Sequence, residues 1–521
     1  MAFTPPGDLS LLQILVLLLP LYIYLSYLRS RYSKTNPSLP TEWPMVGMLP
    51  SLAANLHQLF DYVTALLAAS GNSFVARGPP MSGQRFFLTC DPENVRHIFI
   101  SNFNNYPKGE EFASFFDVMG DSFFNADGES WRRQRARVQH LMSNPRLLSF
   151  MAACCHAKVK EGLLPILAHV ARAGERVDLQ GIFTRFAFDM TAMPVFGVDT
   201  CRLSFDMPPV HVATAMDAVM EVGFFRHCVP VSCWKLMRWL GIGPERKLAA
   251  AQRVLRRFVD EMIEKRRAAA SADTGDCAAA PFIVSSYIDD PEYVDEEGNP
   301  KDFMYATLIN YMFAGRDTVG TTLAWLFYNL TKHPRVAAKI RDELSPIASL
   351  KANANDMVVF GPEETKPLVY LQAALFESMR LYPPGPIERK ATLADDVLPS
   401  GHTVRAGDNI LIPLYAMGRT ASVWGEDCGV YRPERWVTED GKLRHVPAHR
   451  FMPFNAGPRS CLGKDISVVQ MKSVAAAVAW NFDFEVVEGH VVEPKLSVVL
   501  QMKKGLVVKV KKRDTIVPTK Q

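Results

Sequence analysis

From Leu9 to Leu28 the chain is almost wholly apolar, about the length a helix needs to cross a bilayer. Only Ser10, Gln13, Ser26 and the helix-perturbing Pro20 interrupt it. Asp8 precedes the run, while Arg29, Arg31 and Lys34 follow it, and a basic flank tends to stay on the cytoplasmic side. Residues 1–30 therefore read as an N-terminal membrane anchor, with the rest of the chain facing the cytosol. A cleaved signal peptide and a buried core helix are the alternatives. The run is long for a signal, and no small-residue cleavage site follows it. Next come Pro37, Pro40, Pro44 and Pro50. Each lacks a backbone donor and fixes its own φ, so residues 31–50 read as a stiff proline-rich hinge rather than a helix.

Residues 51–521 are expected to form one mainly α domain with a small β portion. Apolar residues recur every three or four positions in stretches such as Val254 to Ile263, Phe303 to Leu330 and Leu368 to Leu381, the last ending before Pro383 and Pro384. The alanine-rich stretch Ala268 to Ala280 reads as a surface loop, and Val404 to Leu414, with turn signals at Gly401 and Gly407, as a short strand pair. A chain of 521 residues, 48% of them hydrophobic, has ample material for a large core. Its net charge of +4 argues against nucleic acid as a partner. The nine cysteines include no C-x-x-C pair, as expected of thiols in a reducing compartment.

The stretch Phe454-Asn455-Ala456-Gly457-Pro458-Arg459-Ser460-Cys461-Leu462-Gly463 delivers one cysteine just before a helical run that begins near Asp465. A thiolate there gains from helix-start donors, and backbone N–H groups around the sulfur can tune its donation to a metal. Gly457 and Gly463 permit close approach of backbone to a flat macrocycle. This is what a haem-thiolate ligand loop needs, although an isolated cysteine is more often an inert buried thiol. The spacing Phe-x-x-Gly-x-Arg-x-Cys-x-Gly fixes five positions at once, which chance rarely supplies.

With these residues the chain resembles the cytochrome P-450 superfamily over essentially its whole length. The resemblance implies that Cys461 is the axial ligand of a haem b iron, that Phe454 shields the sulfur, and that Arg459 reaches a haem propionate. A thiolate ligand pushes electron density onto iron and favours O–O cleavage. The segment Ala314-Gly315-Arg316-Asp317-Thr318 is weak by itself. Gly315 inside a helix costs about 1 kcal/mol relative to alanine and points to a kink or a need for space. The resemblance places it across the distal haem face, with Thr318 hydrogen-bonding the oxygen under activation and Asp317 helping proton delivery. The bland alternative is a threonine bonded back to its own helix and a solvated aspartate. Trp131-Arg132-Arg133-Gln134-Arg135 resembles the family's Trp-x-x-x-Arg helix, with Trp131 and Arg135 bonding a propionate, against a plain solvated basic face. The remaining arginines would help to dock a redox partner. Glu377-x-x-Arg380 recurs in spacing at Glu93/Arg96, Glu129/Arg132 and Glu264/Arg267. What singles it out is Tyr431-Arg432-Pro433-Glu434-Arg435-Trp436 downstream, which implies a buried structural triad of Glu377, Arg380 and Arg435.

Asn105-Tyr106-Pro107-Lys108-Gly109, Phe124-Asn125-Ala126-Asp127-Gly128, Met417-Gly418-Arg419 and Val423-Trp424-Gly425-Glu426-Asp427 look like the plant clan that hydroxylates fatty acids and alkanes. Glu377 to Lys390 and Leu443-Arg444-His445 look most similar to its midchain alkane hydroxylases of cuticular wax formation. Val319 and Gly320 depart from that clan, which more often has hydroxyl residues there. Phe112, Phe115, Phe116, Phe123 and Phe124 line a substrate channel on one reading and are plain core on the other, which is the commoner fate. The resemblance implies a monooxygenase of the endoplasmic reticulum membrane that draws electrons from NADPH through a flavoprotein reductase and acts on a long-chain aliphatic substrate. A fatty-acid ω-hydroxylase, a haem-thiolate isomerase or lyase of lipid hydroperoxides, and a non-catalytic haem or lipid carrier are the rival readings.

Overall fold

The computed structural model describes residues 22, 24–25, 39–40, 43, 46–78, 85–272, 282–288, 290–296, 300–351 and 357–513. The apolar run from Leu9 to Leu28 lies outside the described residues apart from Tyr22, Tyr24 and Leu25, and so does most of the proline stretch. Among the described residues no helix is long and apolar enough to cross a membrane. The chain packs as two compact units, one from Met1–Tyr106 with Ile387–Gly425 and one from Pro107–Pro386 with Glu426–Gln521.

In the first unit, β1 (Ser73–Arg77) runs antiparallel to β2 (Arg85–Thr89). The other strands in chain order are β3 (Arg176–Asp178), β4 (Ile387–Ala391), β5 (Asp396–Val397), β6 (Thr403–Val404), β7 (Asn409–Pro413), β8 (Phe482–Val486) and β9 (Val507–Lys512). β2 pairs in parallel with β7, and β7 antiparallel with β4, giving the order β1-β2-β7-β4. The strand pair expected between Val404 and Leu414 does not form. Gly407 does turn the chain, at φ +85°, but β6 pairs with β5 and β7 joins the larger sheet. Asp408 explains the split. Its carboxylate accepts the Arg405 N–H at 2.8 Å and binds the Arg85 guanidinium of β2, closing the turn and tying β7 to its true neighbour.

The second unit is mainly helical, with a small sheet ordered β3-β9-β8. Its principal helices are α1 (Gly128–Met142), α2 (Leu179–Phe196), α3 (His211–Cys228), α4 (Gly243–Ala272), α5 (Asp302–Lys332), α6 (Val369–Leu381) and α7 (Lys464–Asn481). α4 carries on through Ala268 to Ala272, so the expected loop begins later than its alanines suggested; alanine is the best helix former, and composition alone misplaced the boundary. α6 stops before the two prolines as expected.

α5 is apolar on nearly all sides and correspondingly buried along most of its length. It packs lengthwise on α2, and its glycines set the distance. A Cβ on Gly315 would lie 2.4 Å from Thr191 Oγ1, and one on Gly320 would lie 3.0 Å from the Thr184 Cα. Gly315 thus answers a need for space. Phe112, Phe115 and Phe116 belong to the core of this unit, where Phe115 meets His227 at 4.5 Å between ring centres; Phe123 and Phe124 pack against that core.

Gly315→Ala should destabilise the protein, because overpacking of about 1–3 kcal/mol exceeds the gain in helix propensity of about 1 kcal/mol. Removing the opposing atoms with Thr191→Ala in the same chain should recover much of the loss. Thermal unfolding of the single and double variants checks this, and additive losses would remove the Gly315 contact as the cause.

Candidate functional site

Left-handed backbone at Asn455 (φ +60°) and Gly457 (φ +63°) bends the segment before Cys461 into a tight loop. The Cys461 N–H closes it on the Phe454 carbonyl at 2.8 Å, and the Ser460 N–H bonds Gly457 at 3.0 Å. Gly463 then caps the start of α7 and gives its N–H to the Cys461 sulfur. The Cys461 side chain is open although protein surrounds it. Burial pushes its thiol pKa up, against the Gly463 amide and the positive charges of Arg135 and Lys464. The helix-start amide of Gly463 favours the thiolate, as expected, but burial outweighs it in the free thiol. A Lewis acid that takes the proton's place would reverse the balance.

Beside this loop, Trp131 of α1 is buried beneath two guanidinium groups, with Arg459 4.5 Å and Arg135 5.7 Å from its ring centre. Trp131 and Arg135 share the helix face that their spacing predicts. Arg459 is neutralised by Asp127 at 2.5 Å and also bonds the Ala126 carbonyl at 2.7 Å. Among the described residues Arg135 hydrogen-bonds only Ser460, at the carbonyl (2.7 Å) and hydroxyl (3.5 Å), and burial lowers its pKa. Asp127 was not singled out from the sequence. It also accepts the N–H groups of Lys108 (3.1 Å) and Gly109 (2.8 Å), so the Asn105–Gly109 and Phe124–Gly128 stretches meet on one carboxylate. Phe454 packs edge-on against Phe376 at 6.4 Å, with Lys464 5.7 Å from its ring centre.

In the middle of α5, Ala314 and Thr318 are exposed while Arg316, Asp317, Val319 and Gly320 are buried. Positions 314 and 318 are one turn apart, so a single stripe of this core helix opens onto free space. The Thr318 hydroxyl donates to the Ala314 carbonyl at 2.6 Å, which leaves its lone pairs for an acceptor role. Asp317 is not solvated. It pairs with Arg316 at 2.5 Å, its Oδ2 has no partner among the described residues, and burial pushes its pKa up to about 6. Val319 and Gly320 are buried, and Gly320 lies against Thr184 of α2.

Glu377 on α6 and Arg380 are both fully buried and joined by two bonds of 2.8 Å. The same carboxylate accepts from Arg435 at 3.3 Å, from the Trp436 indole N–H at 2.8 Å and from the Arg432 N–H at 2.9 Å. Arg380 also bonds the carbonyls of Cys428 (2.6 Å) and Val430 (3.1 Å). The pairs Glu93/Arg96 and Glu129/Arg132, identical in spacing, lie in solvent.

Residues 37–510 match the sequence pattern of Cytochrome P450. The chain belongs to the cytochrome P450 family. It is 40% identical over 473 residues to Alkane hydroxylase MAH1 of Arabidopsis thaliana, covering 90% of this chain and 93% of that one. It is 39% identical over 511 residues to Noroxomaritidine synthase 1 of Narcissus pseudonarcissus, covering 97% of each. Over 504 residues it is 37% identical to Cytochrome P450 86B1 of Arabidopsis thaliana, covering 95% of this chain and 89% of the relative. The protein is a haem-thiolate monooxygenase. Its own residues fit that group: Cys461 is open, and Arg135 is a partly desolvated cation whose hydrogen-bond partners among the described residues are neutral, suited to a carboxylate such as a propionate.

Burial should separate Glu377/Arg380 from the exposed pairs Glu93/Arg96 and Glu129/Arg132. Glu377→Ala strands two buried guanidinium groups and should cost about 3–5 kcal/mol, with loss of haem incorporation. Glu93→Ala and Glu129→Ala should leave the unfolding temperature and haem content near wild type. Equal effects from all three would remove the special role of Glu377.

Proposed function

We propose that this P450 hydroxylates long-chain aliphatic substrates, namely alkanes at midchain carbons, as in cuticular wax formation. The observation that carries this reading is the open stripe of α5. It presents Ala314 and Thr318, both small and uncharged, while the helix's own charges, Arg316 and Asp317, are buried on another side and paired. A substrate meeting that stripe finds no cation to hold a carboxylate. The likeness to a relative named as an alkane hydroxylase supports it, whereas relatives named as noroxomaritidine synthases are nearly as similar.

In this reading Cys461 ligates the haem iron. Arg135, Arg459 and Trp131 hold the propionate edge, Gly457 and Gly463 let backbone approach the macrocycle, and Phe454 covers the sulfur. When bound, the haem supplies reductive activation of dioxygen. Thr318 offers its oxygen as an acceptor, since its proton is committed to Ala314, and Asp317 takes up a proton more readily than an ordinary carboxylate because burial opposes its charge. Glu377, Arg380 and Arg435 support the architecture and take no part in the chemistry. Electrons come from NADPH through a flavoprotein reductase, and the N-terminal apolar run anchors the enzyme at the endoplasmic reticulum membrane.

Each methylene buried contributes about 0.8 kcal/mol, so a long chain binds without a charged anchor. Sliding it by one carbon changes few contacts. The expected product is therefore a mixture of adjacent midchain alcohols.

Cys461→Ala should abolish the red-shifted Soret band of the ferrous carbon monoxide complex; its survival would mean that another group ligates the iron. Microsomes with reductase and NADPH should be offered long-chain alkanes and fatty acids side by side, and the inserted oxygen located by mass spectrometry. Internal alcohols from alkanes are expected. Terminal hydroxylation of acids would make the protein an ω-hydroxylase, and turnover of lipid hydroperoxides without NADPH would make it an isomerase or lyase.

A further inference from the structure

The charges of α5 continue beyond Asp317. Arg316 Nη1 donates to Asp317 Oδ1 at 2.5 Å and to Asp217 Oδ1 at 2.8 Å, so one nitrogen serves carboxylates from two helices. Arg316 Nε and Asp317 Oδ2 have no partner among the described residues. The side chains of Arg316 and Asp317 are 2% and 1% exposed, whereas that of Asp217 is 31% exposed. Gln501 Nε2 reaches the same Asp217 oxygen at 3.4 Å. One turn along α3, Glu221 is held by Lys495 at 2.6 Å and by Lys247 at 2.5 Å. The charged groups acting on Asp317 are thus Arg316 from its own helix, Asp217 from α3 and Lys495 from the segment before β9.

One guanidinium shared between two carboxylates leaves too few donors for both, and burial concentrates that cost on the acid with the fewest partners. That acid is Asp317. Asp217 is drawn the other way: although burial opposes its charge, Arg316 holds its pKa below the usual range. The division of labour follows from position, because Asp217 is open to solvent and Asp317 is not.

We propose that Asp217 is a positioning residue for proton delivery, engaging Arg316 so that Asp317 remains free to carry a proton. The step is a proton transfer alone: Asp317 gives up one proton toward the Thr318 side and takes one back from solvent, while Asp217 holds Arg316 and carries no proton itself. The inference rests on the reading of Asp317 and Thr318 given above and adds the residue that controls them.

The test uses the haem-loaded full chain with Asp217→Asn, Asp217→Glu and Asp317→Asn. An infrared pH titration identifies the protonated carboxyl band that Asp317→Asn removes. In Asp217→Asn, Arg316 pairs with Asp317 alone, so that band should titrate about one pH unit lower, leaving about tenfold less protonated Asp317 at a given pH above the transition. Peroxide released per NADPH, measured with added reductase, should rise several-fold in Asp217→Asn and return toward wild type in Asp217→Glu. A band that stays in place, with wild-type peroxide in Asp217→Asn but raised peroxide in Asp317→Asn, overturns the role of Asp217 and leaves that of Asp317 standing. Wild-type peroxide in Asp317→Asn overturns both.

Discussion

A buried carboxylate cannot stand in an apolar interior without donors, and Glu377 organises its surroundings by collecting them. Arg380, Arg435, the Trp436 indole and the Arg432 amide all converge on its two oxygens. This fixes the segment around residues 427–436 against α6. The neighbouring Phe376 then carries the arrangement onward, since its ring meets Trp436 at 5.5 Å, Phe451 at 5.4 Å and Phe454 at 6.4 Å. Phe454 is also the residue whose carbonyl receives the Cys461 amide. The position of the thiol is therefore referred, through one aromatic cluster and one loop hydrogen bond, to a charge hub that never touches it.

α5 shows how a core helix can serve a site without leaving the core. Gly315 and Gly320 each cost about 1 kcal/mol in helix propensity, offset by the close approach to α2 that they allow. With that side fixed, the charged pair at 316–317 is held in a dry environment and the stripe at Ala314 and Thr318 faces open space. A side chain at Gly315 would push the two helices apart and move both features together.

Much of this was legible in the sequence where a constraint is local. The Cys461 loop and the helices around Phe303 to Leu330 and Leu368 to Leu381 follow from spacing, glycine placement and proline stops. Glu377 could be told from its exposed look-alikes only by the partner segment some fifty residues downstream, which supplies the donors that burial demands. What could not be read depends on distant partners. Nothing near Asp127 announces Arg459, nothing near Asp217 announces Arg316, and the true neighbours of the Asn409–Pro413 strand are set by Asp408 binding Arg85. The bland reading of Thr318 was half right. Its hydroxyl does bond back to its helix, but Asp317 is buried rather than solvated, because a neighbouring arginine makes burial tolerable.

The completeness of compensation separates the charged groups of this unit into two kinds. Arg226 is fully buried and fully engaged: Glu245 takes it with two bonds of 2.7 and 2.6 Å, and Asp117 and the Phe115 carbonyl take it at 2.9 Å each. Glu377 is saturated in the same way. Such groups have no reason to change state, and removing a partner only destabilises the fold. Arg135 and Asp317 differ. Among the described residues, one is a partly desolvated cation bonded to a single serine, and the other has a bare carboxylate oxygen. A group left partly unsatisfied keeps free energy that an incoming carboxylate or proton can release, so binding and proton movement belong where satisfaction is incomplete.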